Sequence, residues 1–254
     1  MSYDQIWKHF RSLSYDDLPD DVVEVANQCI LDWFGCTLAG STEPLAEILR
    51  SQFGFRGGAC SIIGSELKLD APTAALLNGA SGHALDFDDT GARTLCHSTA
   101  PVLPAVLAVA EELGCSGKEL ISAFVVGVEI EGRIGQAMGS DHYARGWHTT
   151  ATYGTFGATA AVAHLLQLED AAFGCAMGLA ASHAGGVKAN FGTMTKPYHP
   201  GHAAECGSNC ARLAAAGVTA NPAAVLGNQG CVRAASDAEN PLEAVARLAG
   251  EWRI

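Results

Sequence analysis

Thr150-Ala151-Thr152-Tyr153-Gly154-Thr155-Phe156-Gly157-Ala158-Thr159-Ala160-Ala161-Val162-Ala163-His164-Leu165-Leu166 contains no Asp, Glu, Lys or Arg. A run of small and apolar residues this long, without a polar face, reads as a helix buried on most of its sides. Such a helix needs neighbours all round it. Asp170–His183 is nearly uncharged too, and His199–Ala216 is rich in small residues that let helices approach closely.

Outward from that core, the other segments read as helices as well. Ser116–Met138 opens with Ser116 and carries Glu119 three residues on, a capping box. Pro101–Leu113 is another helix. Ala71–Ala84 has Pro72 near its start, where proline is tolerated. Pro44–Phe53 is short and amphipathic, and Val22–Leu38 follows the acidic pair Asp20-Asp21 and ends near Gly40. Pro222 and Pro241 mark later helix starts. The β candidate is Gly57–Leu69, with Cys60-Ser61-Ile62-Ile63-Gly64, as a small hairpin. No fixed-period repeat or low-complexity linker interrupts the chain. The expectation is an all-α fold, a compact multi-helix bundle over residues 1–254 as one domain, with at most a small β-hairpin near residues 57–69.

Composition agrees. The chain has 254 residues, 48% hydrophobic and 17% charged, which excludes a disordered protein. Few aromatics favour close-packed helices over a β-sandwich. Fifteen basic side chains against 27 acidic ones give a net charge of −12. With no Lys/Arg cluster, nucleic-acid and anionic-membrane partners are not expected. An anionic substrate would need the few cations gathered locally. The N-terminus lacks an apolar signal core, and no stretch is apolar enough to span a membrane. Nine cysteines, scattered and without a CxxC pair, read as reduced thiols of a cytoplasmic protein. Cys206 and Cys210, four apart, suit one helix face better than a zinc site.

Polar residues concentrate in three places at the ends of apolar helices, where a rigid scaffold presents functional groups. The first is Asp86-Phe87-Asp88-Asp89-Thr90, with His97 and Ser98 beyond it. The second is Tyr143 with Gly146-Trp147-His148-Thr149-Thr150. The third runs from Ala189 to His199 and includes Thr195-Lys196-Pro197. Three acids in four positions raise one another's pKa. They read as a divalent-metal site, as the DxDxT signature of haloacid-dehalogenase-type phosphatases, or as a capping cluster holding loop N–H groups and histidines. The phosphatase motif should end a buried strand, whereas Asn78–Leu85 is small and polar. His148 and His97 are candidates for acid–base work, and His148 also precedes a helix start that attracts anions. Lys196 fits a clamp for a carboxylate. His164 and His183 fall inside helical runs as structural residues, while His83, His199 and His202 lie near the polar loops.

These clusters resemble, in order and spacing, the MmgE/PrpD family, from near the N-terminus to about Gly230. The matching stretches are Leu77-Asn78-Gly79, His83–Thr90, His97-Ser98 with Pro101–Pro104, Gly146-Trp147-His148 with Gly154–Ala158, and Thr195-Lys196-Pro197 with His199 and Gly201. Members include 2-methylcitrate dehydratase, cis-aconitate decarboxylase and iminodisuccinate epimerase. The resemblance implies a helical domain paired with a smaller α/β lid domain, homodimers, and no metal or organic cofactor. It places active-site positions at Asp86, Thr90, His97, His148 and Lys196. The loop from Thr90 to His97 departs from the decarboxylase pattern, being one residue longer and lacking an extra histidine. The lid, and an active-site histidine supplied from beyond the first domain, are not in this sequence, so a separate lid-domain chain or a truncated copy is expected. The expected chemistry is proton transfer at a carbon beside a carboxylate of a small di- or tricarboxylate, by a lyase or epimerase. Lys196 would neutralise the carboxylate, His148 and His97 would divide the acid and base roles, and Asp86 would fix a histidine or, through Thr90, a substrate hydroxyl. Tyr143 and His199 are further substrate-binding candidates. The rival expectations are an inactive helical dimerisation remnant, one half of a split enzyme, and the metal-dependent phosphatase.

Overall fold

The computed structural model describes residues 8–91, 95–246 and 252–254. Helix α1 (Asp20–Gly40) starts behind Pro19 with Asp20 and Asp21 in its first turn, where the helix dipole favours negative charge. Helix α2 (Pro44–Phe53) carries proline at its first position. Strands β1 (Cys60–Ser61) and β2 (Lys68–Leu69) then pair antiparallel, Cys60 opposite Leu69, and form the one sheet among the described residues. Asp70 caps α3 (Ala71–Gly82) by accepting the Thr73 amide at 3.1 Å. Next come α4 (Thr99–Leu113), α5 (Gly117–Ala144), α6 (Thr149–Leu165), α7 (Asp170–Ala180), α8 (Thr195–Ala215), and the short α9 (Cys231–Ala235) and α10 (Pro241–Ala246). The fold is all-α.

The uncharged segment is the centre of the bundle. Every residue of α6 except His164 is buried, and α4, α5 and α8 pack around it. Phe156 on α6 is 0% exposed, and burying a side chain of that kind contributes roughly 1.5–3 kcal/mol. One hydrophobic cluster runs from Phe10 to Val245. Helices α3 and α8 come closer than side chains would allow. A Cβ on Gly79 would stand 2.8 Å from the Gly201 Cα, and one on Gly201 would stand 2.3 Å from the Leu76 carbonyl oxygen. No disulfide joins any of the cysteines among the described residues, and Cys206 and Cys210 are both buried on α8. No helix among the described residues is long and apolar enough to cross a membrane.

The expected helix end at Met138 is where α5 breaks: Gly139, with a φ of 70° that only glycine adopts without strain, interrupts it, and helical turns resume to Ala144. Helix α7 stops at Ala180, short of the expected His183, and helix α8 begins earlier than expected, at Thr195, a turn before His199. Pro197 falls in the first turn, where its missing N–H has no intrahelical partner to lose. Lys196 consequently sits on a helix end and not in a free loop.

Candidate functional site

The contacts of α3, α6 and α8 gather the polar clusters. His83 closes the C-terminal end of α3, His148 is the residue preceding α6, and Lys196 and His199 lie in the first turns of α8. The stretches Asp86–Gly91 and Leu95–His97 bridge them. The His97 amide donates to Thr150 Oγ1 at 3.1 Å, and the Thr149 hydroxyl donates to the Leu95 carbonyl, which ties this loop to α6.

Each of the three clustered acids has its own partner, which resolves the electrostatic problem of their spacing. Asp86 adopts a left-handed backbone, φ 59°, a conformation that aspartate tolerates better than most residues. Its carboxylate accepts from Lys196 Nζ. Burial works against the Asp86 charge, but that hydrogen bond outweighs it and holds the carboxyl below its ordinary range. Asp88 turns inward and is fully buried with His83, whose Nδ1 lies 2.8 and 3.0 Å from its two oxygens. His97 Nδ1 lies 3.3 Å from Asp88 Oδ2. Desolvation opposes ionisation of Asp88, yet the two imidazole contacts prevail and its pKa is lowered. Asp89 accepts from the Thr99 hydroxyl at 2.8 Å at the start of α4, and burial raises its pKa. The capping-cluster expectation thus describes Asp88 and Asp89 well. The motif follows the end of a helix, not a buried strand tip, which is the wrong setting for a DxDxT nucleophile.

The imidazoles are driven in opposite directions. Burial disfavours a charged His97, but hydrogen bonding to Asp88 prevails, and its pKa is raised. Its Nε2 stands 3.7 Å from Asp86 Oδ1. His83 is lowered, since burial there outweighs Asp88. His148 is pushed down to about 2, by burial first and then by the nearby His83 and His199. Its Nδ1 lies 2.9 Å from His199 Nδ1. In that contact one nitrogen donates and the other accepts, so the two rings share a single proton there. The site therefore sets His97, whose protonated form is favoured, beside an imidazole pair whose neutral forms are favoured.

Of the predicted residues, Asp86, His97, His148, Lys196 and His199 come together. His199 is buried against His148 and serves that ring directly. Thr90 is exposed on the same loop. Residues 92–94 of that loop, part of the stretch that departs from the decarboxylase pattern, lie outside the described residues. Tyr143 stands apart. The Lys188 Nζ rests 3.4 Å from its ring centroid, and it lines a separate cleft of about 640 Å³ with Gln136, Tyr153 and Arg253. A cleft of about 390 Å³ adjoins the ion pair, with His83, Asp86, Lys196 and Met194 in its walls together with Pro44 and Leu45 of α2. Single atoms of His83, Asp86, Asp88 and His97 lie within 4.8 Å of one another. That spacing would accept one cation, but here the carboxylates are neutralised by Lys196 and the imidazoles. Asp88 and His83 were the residues least visible as functional. Their signal was a histidine at a helix end five positions before an acid.

The MmgE/PrpD N-terminal domain matches residues 4–243 of this chain. Cis-aconitate decarboxylase of Aspergillus terreus is 38% identical over 205 residues, covering 77% of this chain and 42% of that protein. The human cis-aconitate decarboxylase is 34% identical over 218 residues, covering 82% of this chain and 45% of that protein. The mouse cis-aconitate decarboxylase is 31% identical over 217 residues, covering 82% and 44%. The chain thus spans less than half the length of the curated relatives it matches.

Proposed function

Because the chain belongs to the MmgE/PrpD family, we propose that it supplies the proton-transfer half of a lyase acting on a small tricarboxylate. The relatives are named for decarboxylating cis-aconitate, and that is the form of the reaction favoured here. The observation that supports it best is one arrangement: the Lys196–Asp86 pair beside a His97 ring whose protonated form Asp88 favours.

A substrate carboxylate takes the place of Asp86 on Lys196, gaining a charge-assisted hydrogen bond. When the carbon–carbon bond breaks, carbon dioxide leaves without the bonding electrons, and these stay on the substrate carbon. His97 delivers the proton from Nε2 to that carbon. His148, neutral and fixed by His199, accepts hydrogen bonds from the substrate or, in an elimination, takes the proton from carbon while His97 gives one to the departing hydroxyl. Thr90 holds a substrate hydroxyl where there is one. None of these steps calls on a cofactor. The protein works as a homodimer in the cytoplasm, with a lid domain, on the same or a separate chain, closing the cleft to water.

The test is to incubate the purified chain with cis-aconitate and with citrate, in the presence of a chelator, and to follow products by NMR. Release of carbon dioxide or water, abolished in Lys196→Ala and in His97→Ala, supports the reading. Turnover unchanged in both variants sinks the site. No turnover and no tricarboxylate binding favours the inactive-remnant reading. Turnover of phosphate esters alone, lost with chelator, favours the phosphatase.

A further inference from the structure

His97 serves as an acid only if the correct ring nitrogen faces the substrate, and the surrounding groups determine which one does. We propose that Asp88 and His83 are positioning residues, holding His97 with Nδ1 bound inward and Nε2 presented to the Asp86–Lys196 pair. The inference rests on the proton-transfer reading of this site and deepens it.

Proton counting supports this orientation. An ionised carboxylate only accepts hydrogen bonds, so every ring nitrogen bound to Asp88 must carry a hydrogen. His97 Nδ1 faces two acceptors of the same residue, Asp88 Oδ2 at 3.3 Å and the Asp88 carbonyl oxygen at 3.3 Å. Both contacts require Nδ1–H. The exchangeable end is then Nε2, on the side of Asp86 Oδ1 at 3.7 Å. The same logic applied to His83 gives Nδ1–H against Asp88 and leaves Nε2 with only a lone pair. That nitrogen is buried without a hydrogen-bond partner, as an acceptor with no donor in reach should be.

His83 acts through Asp88. Its two short contacts, 2.8 and 3.0 Å, hold a carboxylate that is 0% exposed, and burying such a charge is costly unless it is hydrogen-bonded. The longer contact to His97 alone would leave most of that cost uncovered. The His83 ring also stands edge-on to His97, with centroids 4.6 Å apart, and stacks on His148 at 6.0 Å. The charged and titratable groups that bear on His97 are thus Asp88, Lys196, Asp86, His83, Asp89 and His148.

The test is a histidine-selective 15N titration of the full chain, read from long-range 1H–15N correlations without any substrate. In the wild-type protein, neutral His97 and His83 are both expected as the Nδ1–H tautomer. Asp88→Asn should shift the His97 midpoint down by about 1 unit or more, since the opposite charge is lost. His83→Phe, which keeps a ring in place, should shift it upward, because Asp88 is then left to His97 alone. A residue that merely filled space would not give opposite signs. Neutral wild-type His97 found as Nε2–H overturns the proposal, as does an unchanged midpoint in a helical Asp88→Asn chain. If Asp88→Asn does not fold, the wild-type tautomer and His83→Phe decide. Tautomers and shifts as expected in a chain that binds no tricarboxylate would overturn the functional reading and leave the positioning intact.

Discussion

Replacing Lys196 by Met keeps most of the length of the side chain and removes its charge. In the folded protein Lys196 is 16% exposed and its partner Asp86 is 57% exposed. An ion pair so open to water contributes only about 0–1 kcal/mol. Lys196→Met should therefore lower Tm by no more than roughly 2–4 °C for a chain of this size. What the pair does contribute is present above the ordinary carboxylate range and is lost as pH falls through the lowered Asp86 value. Binding is a different matter. A substrate carboxylate loses a hydrogen bond to a charged donor, worth about 1.5–3 kcal/mol, so affinity for a tricarboxylate should fall about ten- to a hundredfold. The lysine also lowers His83, His97 and His148 through space, so all three should titrate higher in the variant. Calorimetric titration with cis-aconitate at fixed ionic strength, with Tm alongside, separates the two effects. Unchanged affinity with unchanged Tm would refute the clamp, and a collapse in Tm would show that the lysine is structural.

Three other outcomes are expected. Gly201→Ala drives a methyl to 2.3 Å from the Leu76 carbonyl, and overpacking of this kind costs about 1–3 kcal/mol, visible as a lower urea midpoint with an unchanged slope. Burial raises Glu131 well above its ordinary pKa, so this carboxyl destabilises the fold as pH climbs from its unfolded towards its folded value. Glu131→Gln should flatten that decline in a Tm series against pH, and parallel curves for the two proteins would contradict it. Because His97 is raised, its pairing stabilises the fold below the unfolded histidine value and is lost as pH rises through the folded one. Turnover should fall over that same upper limb, and a rate that only rises with pH would exclude His97 as the acid.

The helical scaffold was legible in the sequence because burial is written in composition. A segment with no charge, like α6, has nowhere to go but the middle. The capping box at Ser116–Glu119 and Pro72 in the first turn mark the starts of α5 and α3 locally. The boundary that slipped most is the start of α8, where Pro197 sits inside the first turn, whereas the break at Gly139 falls where the sequence placed the end of α5. The site was legible as three clusters, and Lys196, His97 and His148 do converge. Their pairing was not, because it depends on which acid faces which ring. Asp86 and Asp88 are alternate residues of one loop, yet the left-handed backbone at Asp86 sends one carboxylate to Lys196 and the other to His83. Tyr143 is near His148 in sequence and lies in another cleft, since the chain turns between them at Arg145-Gly146.

The most direct test is to titrate the chain with cis-aconitate, with chelator present, while observing the Lys196 side-chain and His97 ring nitrogens by NMR. Saturable shifts at both, abolished in Lys196→Met, are predicted. Binding that leaves both unmoved, or that moves only the cleft around Tyr143, would contradict the assignment of this site.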